Sequence, residues 1–159
     1  MRILTLWEPW ATLMAIGEKR IETRSWATSY RGPLAIHAAK GGFTQDQLSR
    51  MCLGETCLEP HFKEALGSVD LNRGHIVAVV TLADCVPVEK CASLGSPKDK
   101  WLTPKEESFG DYSHGRYGWI TGDLFRLPRP IPYKGSQGLG ILPLDVVEQI
   151  KAQGWNGPC

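Results

Sequence analysis

A charged segment near the N-terminus carries the side chains best suited to chemistry. Glu22 and Arg24 alternate with Ile21 and Thr23, and an extended chain places the two charged residues on one face. There the carboxylate can pair with the guanidinium and orient it. Gly17 permits a sharp turn, and Lys19 can reach back over the mouth of that turn. The spacing alone fits a site that binds a polar planar ligand and a solvated strand with a surface ion pair equally well.

The same residues allow a reaction. If Lys19 and Glu22 flank a water molecule, Glu22 can act as general base while Lys19 stabilises the developing oxyanion of an amide hydrolysis. A neighbouring carboxylate also holds the proton on the amine, which works against Lys19 as a nucleophile. Binding without chemistry is therefore favoured over catalysis by this pair.

Three tryptophans lie close to the charged segment in the sequence. Trp10 shares a helical apolar stripe with Leu13 and Met14, so we expect it in the core. Trp7 and Trp26 are left as a stacking wall, because a base stacked on an aromatic ring gains ~1–3 kcal/mol.

Polar residues farther along the chain complete the predicted binding site. His37 lies within a short apolar strand, where a hydrogen-bonded interior histidine is more common than one on a cleft floor. No acidic residue interrupts the stretch that holds Arg126, Arg129 and Lys134, which suits a phosphate backbone or a solvated edge strand.

A glycine-flanked turn adds two weaker candidates. Ser136 and Gln137 lie between Gly135 and Gly138 and offer backbone amides and polar tips to a base edge or a phosphate.

The elements that position these residues are short and are mostly strands. Strands are predicted over residues 3–6, 19–24, 34–39, 74–86, 117–121, 124–127 and 139–142, and helices over 9–17, 44–51, 59–67 and 145–152. With their tight glycine turns they favour a small twisted β-barrel decorated with helices. The chain of 159 residues predicts a single domain over 1–159, with a helical insert at about 41–73 and a loop-rich insert at about 87–115.

Composition excludes several classes of protein. The net charge of +1 argues against a strongly cationic protein, and the chain has neither a dinucleotide-binding glycine fingerprint nor a Walker loop. No apolar run approaches the ~18 residues of a membrane helix, and no signal peptide is evident, so we expect a soluble cytoplasmic protein that binds no membrane. The five cysteines are irregularly spaced, which argues against a zinc site, and no metal or cofactor is predicted.

The charged segment resembles the signature of a known family. Gly17-x-Lys19-x-x-Glu22-x-Arg24, preceded by Trp-Glu-Pro-Trp and followed by Trp26, is similar to the motif of ASCH (activating signal cointegrator homology) domains. Residues 31–39 and 118–139 resemble further strands of that family, so the resemblance covers most of the chain outside the two inserts. It implies an α+β fold with a small PUA-like β-barrel of five to six strands, whose cleft holds a base or nucleoside.

The resemblance implies several functions and does not choose among them. One branch is similar to amidohydrolases that deacylate acetylated cytidine, another binds or cuts RNA, and eukaryotic relatives are protein-interaction modules in transcription or translation. In the amidohydrolase branch the motif lysine is the nucleophile or base, beside a threonine and a distant glutamate. Lys19 matches that lysine, but Glu22 stands where the threonine would be. We predict a domain that binds RNA or a modified nucleoside, with Lys19 and Glu22 as its catalytic residues if it is an enzyme.

Overall fold

The computed structural model describes residues 1–43, 71–92, 95–96, 99–100 and 102–157. The helices predicted over 44–51 and 59–67 lie outside the described residues. The described elements, in chain order, are β1 (Arg2–Leu6), α1 (Trp10–Ala15), β2 (Ile21–Arg24), β3 (Gly32–Ala38), β4 (His75–Pro87), α2 (Val88–Cys91), β5 (Gly95–Ser96), β6 (Asp99–Lys100), α3 (Pro104–Ser108), β7 (Tyr117–Pro132), β8 (Leu139–Ile141) and α4 (Leu144–Lys151).

Six of the strands form one mixed, curled sheet in the order β2-β7-β4-β3-β1-β8. β1 runs parallel to β3, and the other neighbouring pairs are antiparallel. The pairing of β4 with β7 shifts register at three places along its length. Such bulges bend a strand pair and increase its twist, which curls the sheet into a half-barrel. The predicted α+β, barrel-like fold with helices around it is confirmed.

The sequence predicts a turn at Gly122-Asp123 between two strands, and this prediction is wrong. Residues on both sides of this dipeptide pair with β4, so that β7 is a single bent strand. Asp123 adopts a left-handed φ of 46° beside one of the register shifts. Asparagine and aspartate tolerate this conformation, and the dipeptide therefore makes an irregularity within the strand instead of reversing the chain.

Both faces of the sheet are buried. Leu4 and Ile36 belong to a hydrophobic cluster that includes Met14 of α1. The preceding residues, Ile3 and Ala35, pack in a second cluster with Ile150 of α4. Successive side chains of a strand point to opposite faces, so β1, β3, β4 and β7 each contribute to both clusters. Burial on two sides explains why residues 76–82 of β4 read as a nearly continuous apolar run. None of the described helices is long and apolar enough to cross a membrane.

The glutamate before α1 is completely buried. One Glu8 carboxylate oxygen accepts a hydrogen bond from the backbone N–H of Thr12 at 3.0 Å, and the other accepts from the Thr12 hydroxyl at 2.9 Å. Burial raises the pKa of Glu8, because the charged form loses its hydration. The contacts with Thr12 fix the start of the helix. They do not fully offset the free-energy cost of burying the ionised Glu8 carboxylate.

We expect Glu8→Gln to stabilise the fold more at pH 8 than at pH 4. A carboxyl whose pKa is raised by folding contributes to stability most fully below its unfolded pKa, near 4.5. This contribution is lost as pH rises through the pKa of the folded state. Glutamine keeps both contacts to Thr12 and does not ionise. Urea unfolding of both proteins at the two pH values measures the difference, with exposed Glu148→Gln as the control. A gain from Glu8→Gln that is the same at both pH values would contradict this account.

Candidate functional site

A cavity of about 730 Å³ opens between the end of β1, strand β2, the segment after α3 and the turn before β8. Its charged lining residues are Glu22, Arg24, Asp111 and Arg116. Its aromatic walls include Trp7, Trp10 and Trp26. A concave site with apolar walls and a few convergent polar groups is typical of a small-ligand site.

The Glu22 and Arg24 side chains form an ion pair in this cavity. Arg24 Nε lies 3.1 Å from Glu22 Oε1, and Arg24 Nη2 donates to the carbonyl of Thr5 at 3.1 Å. The Glu22 and Arg24 side chains are 12% and 28% exposed, respectively. The hydrogen bond to Thr5 fixes one end of the guanidinium, while Nε, although close to Glu22, is buried and has no hydrogen-bond partner among the described residues. The predicted alternation is therefore present, and it presents an acceptor and an oriented donor side by side.

Lys19 lies beneath this pair and does not line the cavity. Its side chain is almost completely buried, and Nζ donates to the carbonyls of Ile21 and Phe109, the latter at 2.8 Å. The same ammonium is 3.7 Å from Glu22 Oε2. Lys19 thus supports the cavity floor from below, and the catalytic role of Lys19 and Glu22 stays a prediction.

Glu106 is a buried partner of this network that sequence reasoning missed. Its two carboxylate oxygens accept hydrogen bonds from the backbone N–H groups of Arg20 and Ile21, at 2.8 and 2.9 Å. Burial raises the pKa of Glu106, and the nearby charge of Lys19 opposes the shift. Glu106 lies in α3, whose first turn is capped by the Thr103 hydroxyl.

The segment after α3 forms a second polar wall that the sequence did not single out by residue. The Thr23 hydroxyl accepts from the backbone N–H of Asp111 at 3.1 Å, and the Thr23 carbonyl accepts from Arg116 Nη2 at 3.2 Å. Arg116 Nε is 3.3 Å from Asp111 Oδ2. Hydrogen bonds from the side chain and backbone of Ser113 hold the pKa of Asp111 below its usual value. The available signal was the long polar excursion at 87–115.

The tryptophans combine core contacts with exposed ring surface. Trp26 is 37% exposed and packs edge-to-face on buried Trp119, with ring centroids 4.6 Å apart. Trp7 is 57% exposed and meets Phe43 in a T-shaped contact. Trp10, expected in the core, packs against a buried cluster and also lines the cavity. The fixed rings leave apolar area on the walls.

The other predicted residues fall in three places. Ser136 and Gln137 line the cavity. His37 and Lys134 line a neighbouring hollow. Arg126 lines a third one.

The predicted cationic rim is not assembled at the cavity. The backbone N–H and carbonyl of Arg129 bond to the Gln153 side chain, so that this part of β7 pairs with the residues after α4. Arg126 of β7 lines a separate hollow, and of the three basic residues only Lys134, which follows β7, lines the hollow adjoining the cavity.

His37 is an internally satisfied histidine. Its Nε2 lies 3.0 Å from the Tyr133 carbonyl and acts as donor, which leaves Nδ1 to accept from the Thr5 hydroxyl at 3.2 Å. Burial lowers the pKa of His37, because the charged ring would lose its hydration. Within the described part of the chain, no group of three or more His, Cys, Asp or Glu is placed to hold a metal ion.

Comparison with known proteins identifies the family. The sequence model of the ASCH domain matches residues 4–119, and the chain belongs to this family. The fold is similar to the crystal structure of ASCH from Zymomonas mobilis, with a TM-score of 0.55 and 13% identity over 99% of this chain and 95% of that chain. A tyrosine-to-phenylalanine mutant of that bacterial protein gives a TM-score of 0.53 and 14% identity over 99% and 98% of the two chains. No curated protein matches the sequence significantly.

We expect Lys19→Met to lower the free energy of unfolding by about 3 kcal/mol or more, because it removes the ammonium from two buried carbonyls and its charge from the neighbourhood of buried Glu106. Urea unfolding monitored by tryptophan fluorescence measures the loss. Lys151→Met is the matched control on exposed α4, where the pair with Glu148 is worth only ~0–1 kcal/mol. Equal small losses for the two variants would show that the buried ammonium does not hold the site together.

Proposed function

We propose that the cavity binds one unpaired base, either of single-stranded RNA or of a modified nucleoside. The observation that carries this proposal is the oriented pair of Glu22 and Arg24 between tryptophan walls. A base edge presents amino donors beside ring-nitrogen and carbonyl acceptors. Glu22 accepts from such an amino group, and Arg24 donates to the neighbouring acceptor.

The walls suit the flat faces of a base. Trp7, Trp10 and Trp26 line the same cavity as the ion pair, and its volume of about 730 Å³ lies within the ~300–1,000 Å³ of small-molecule sites. Stacking requires a base outside a duplex, which is how proteins usually read RNA sequence. Membership of the ASCH family, whose fold is PUA-like, supports this class of ligand.

Binding is preferred to hydrolysis of acetylated cytidine because of the position of Lys19. The hydrolytic alternative needs an amine that contacts the substrate or its attacking water. Lys19 instead contacts two backbone carbonyls and the rear of Glu22, below the cavity wall. Protein-interaction and ribonuclease activities have no observation of their own in their favour among the described residues.

Two substitutions test the binding site. Arg24→Gln removes the charged donor and is expected to weaken binding by about 1.5–3 kcal/mol. Trp26→Leu removes a stacking face and is expected to cost ~1–3 kcal/mol, whereas Trp26→Phe retains most of the affinity. Titration calorimetry with cytidine, acetylcytidine, adenosine and a short single-stranded RNA measures both effects.

Lys151→Ala on α4 is the matched control and is expected to bind like the parent protein. Thermal unfolding of each variant separates a lost contact from a lost fold. If none of the four ligands binds, or if the Arg24→Gln and Trp26→Leu variants bind as tightly as the parent while folded, the proposal is wrong.

A further inference from the structure

A basic hollow of about 860 Å³ adjoins the cavity. It lies between the end of β3, the start of β4 and the segment that follows β7. Lys40, Arg73 and Lys134 line it, together with His37 and His75, and no carboxylate lines it among the described residues. The charge of Arg73 also acts on the buried Glu8 carboxyl, which lies outside the lining of the hollow. Three cations gathered in one concavity favour an anion as the missing partner.

The cavity and the basic hollow share a wall. Thr5, Ser136 and Gln137 line both of them. The carbonyl of Thr5 accepts from Arg24 on the cavity side, and its hydroxyl contacts the His37 ring on the other side. The cavity and the basic hollow therefore adjoin along this wall, and our inference below places one ligand across it.

The wall is tightly packed at its start. A Cβ atom added to Gly135 would lie 2.4 Å from the His37 ring and 2.7 Å from the Thr5 hydroxyl. Only a glycine fits this close approach, and the backbone of the following turn is therefore held at a fixed position between the two depressions.

The three cations differ in how they are held. Arg73 is anchored, because Nη1 donates to the carbonyl of Gly41 at 3.3 Å and Nη2 donates to that of Phe43. Lys40 and Lys134 are exposed and have no carboxylate partner among the described residues. One fixed guanidinium and two flexible ammonium groups are suited to a phosphate, which takes several charge-assisted hydrogen bonds at once.

We infer that the ligand of the cavity is phosphorylated, with its base in the cavity and a phosphate in the basic hollow. This inference rests on the proposed function and narrows it to a nucleotide or a phosphodiester strand, as opposed to a free nucleoside. The inferred phosphate contacts are Lys40, Arg73 and Lys134. Lys134 is the one residue of the rim predicted from the sequence that belongs to this set.

The test compares cytidine with its 5′- and 3′-monophosphates by titration calorimetry. At least one monophosphate is expected to bind about tenfold or more tightly than the nucleoside, since charge-assisted hydrogen bonds contribute about 1.5–3 kcal/mol each. Lys40→Ala/Lys134→Ala is expected to abolish most of this gain and to leave the affinity for cytidine unchanged. Arg73 is kept, because its contacts to backbone carbonyls also hold the chain.

Two double variants remove the same charge elsewhere. Lys90→Ala/Lys151→Ala is the matched control on exposed helix residues and is expected to keep the gain from the phosphate. Arg126→Ala/Arg129→Ala tests the rim predicted from the sequence. The logarithm of the affinity for a short single-stranded RNA falls linearly with the logarithm of the salt concentration. Loss of the two lysines should make this slope shallower by about 0.7 for each phosphate contact removed.

The outcomes separate the two proposals. If cytidine binds but no monophosphate binds more tightly, the inference is wrong and the proposed function stands. The inference is also wrong if the gain is lost in the Arg126→Ala/Arg129→Ala variant but kept without Lys40 and Lys134. If neither cytidine nor its phosphates nor RNA binds, the proposed function fails and the inference fails with it.

Discussion

The buried ammonium of Lys19 is the interaction on which the site depends. It joins the carbonyl of Ile21 at the start of β2, the carbonyl of Phe109 after α3, and the carboxylate of Glu22. A cation deprived of water is tolerated only when polar groups surround it, so these three pieces of chain cannot separate without a large penalty.

Charges alternate from the interior to the cavity. Glu106, Lys19, Glu22 and Arg24 form a series of opposite signs, the innermost held by backbone amides and the outermost by the Thr5 carbonyl. Interactions of this kind are stronger away from bulk water, and each group orients the next. Under the proposed function, a ligand would meet a donor and an acceptor already in place, so little ordering of the side chains would accompany binding.

The local half of this arrangement could be predicted from the sequence, because strand periodicity is a short-range property. Alternation over residues 19–24 correctly separated buried Ile21 and Thr23 from Glu22 and Arg24. Glu106 carries no local signal of its role, since its partners are about 85 positions away and meet it only through the sheet. For the same reason the basic stretch looked continuous in the sequence, although Arg126 on β7 and Lys134 after β7 line different hollows.

The union of β2 with α3 has an evolutionary consequence. Loop-rich segments usually vary in sequence among homologues. The segment at 87–115, however, supplies the Glu106 carboxylate that accepts from the amides of Arg20 and Ile21. It also supplies the Phe109 carbonyl that accepts from Lys19. The charge of Lys19 also opposes the cost of burying the Glu106 carboxylate, although the two side chains form no direct ion pair. We therefore expect positions 19 and 106 to covary within the family, so that lineages exchanging one of these charges also exchange its counterpart.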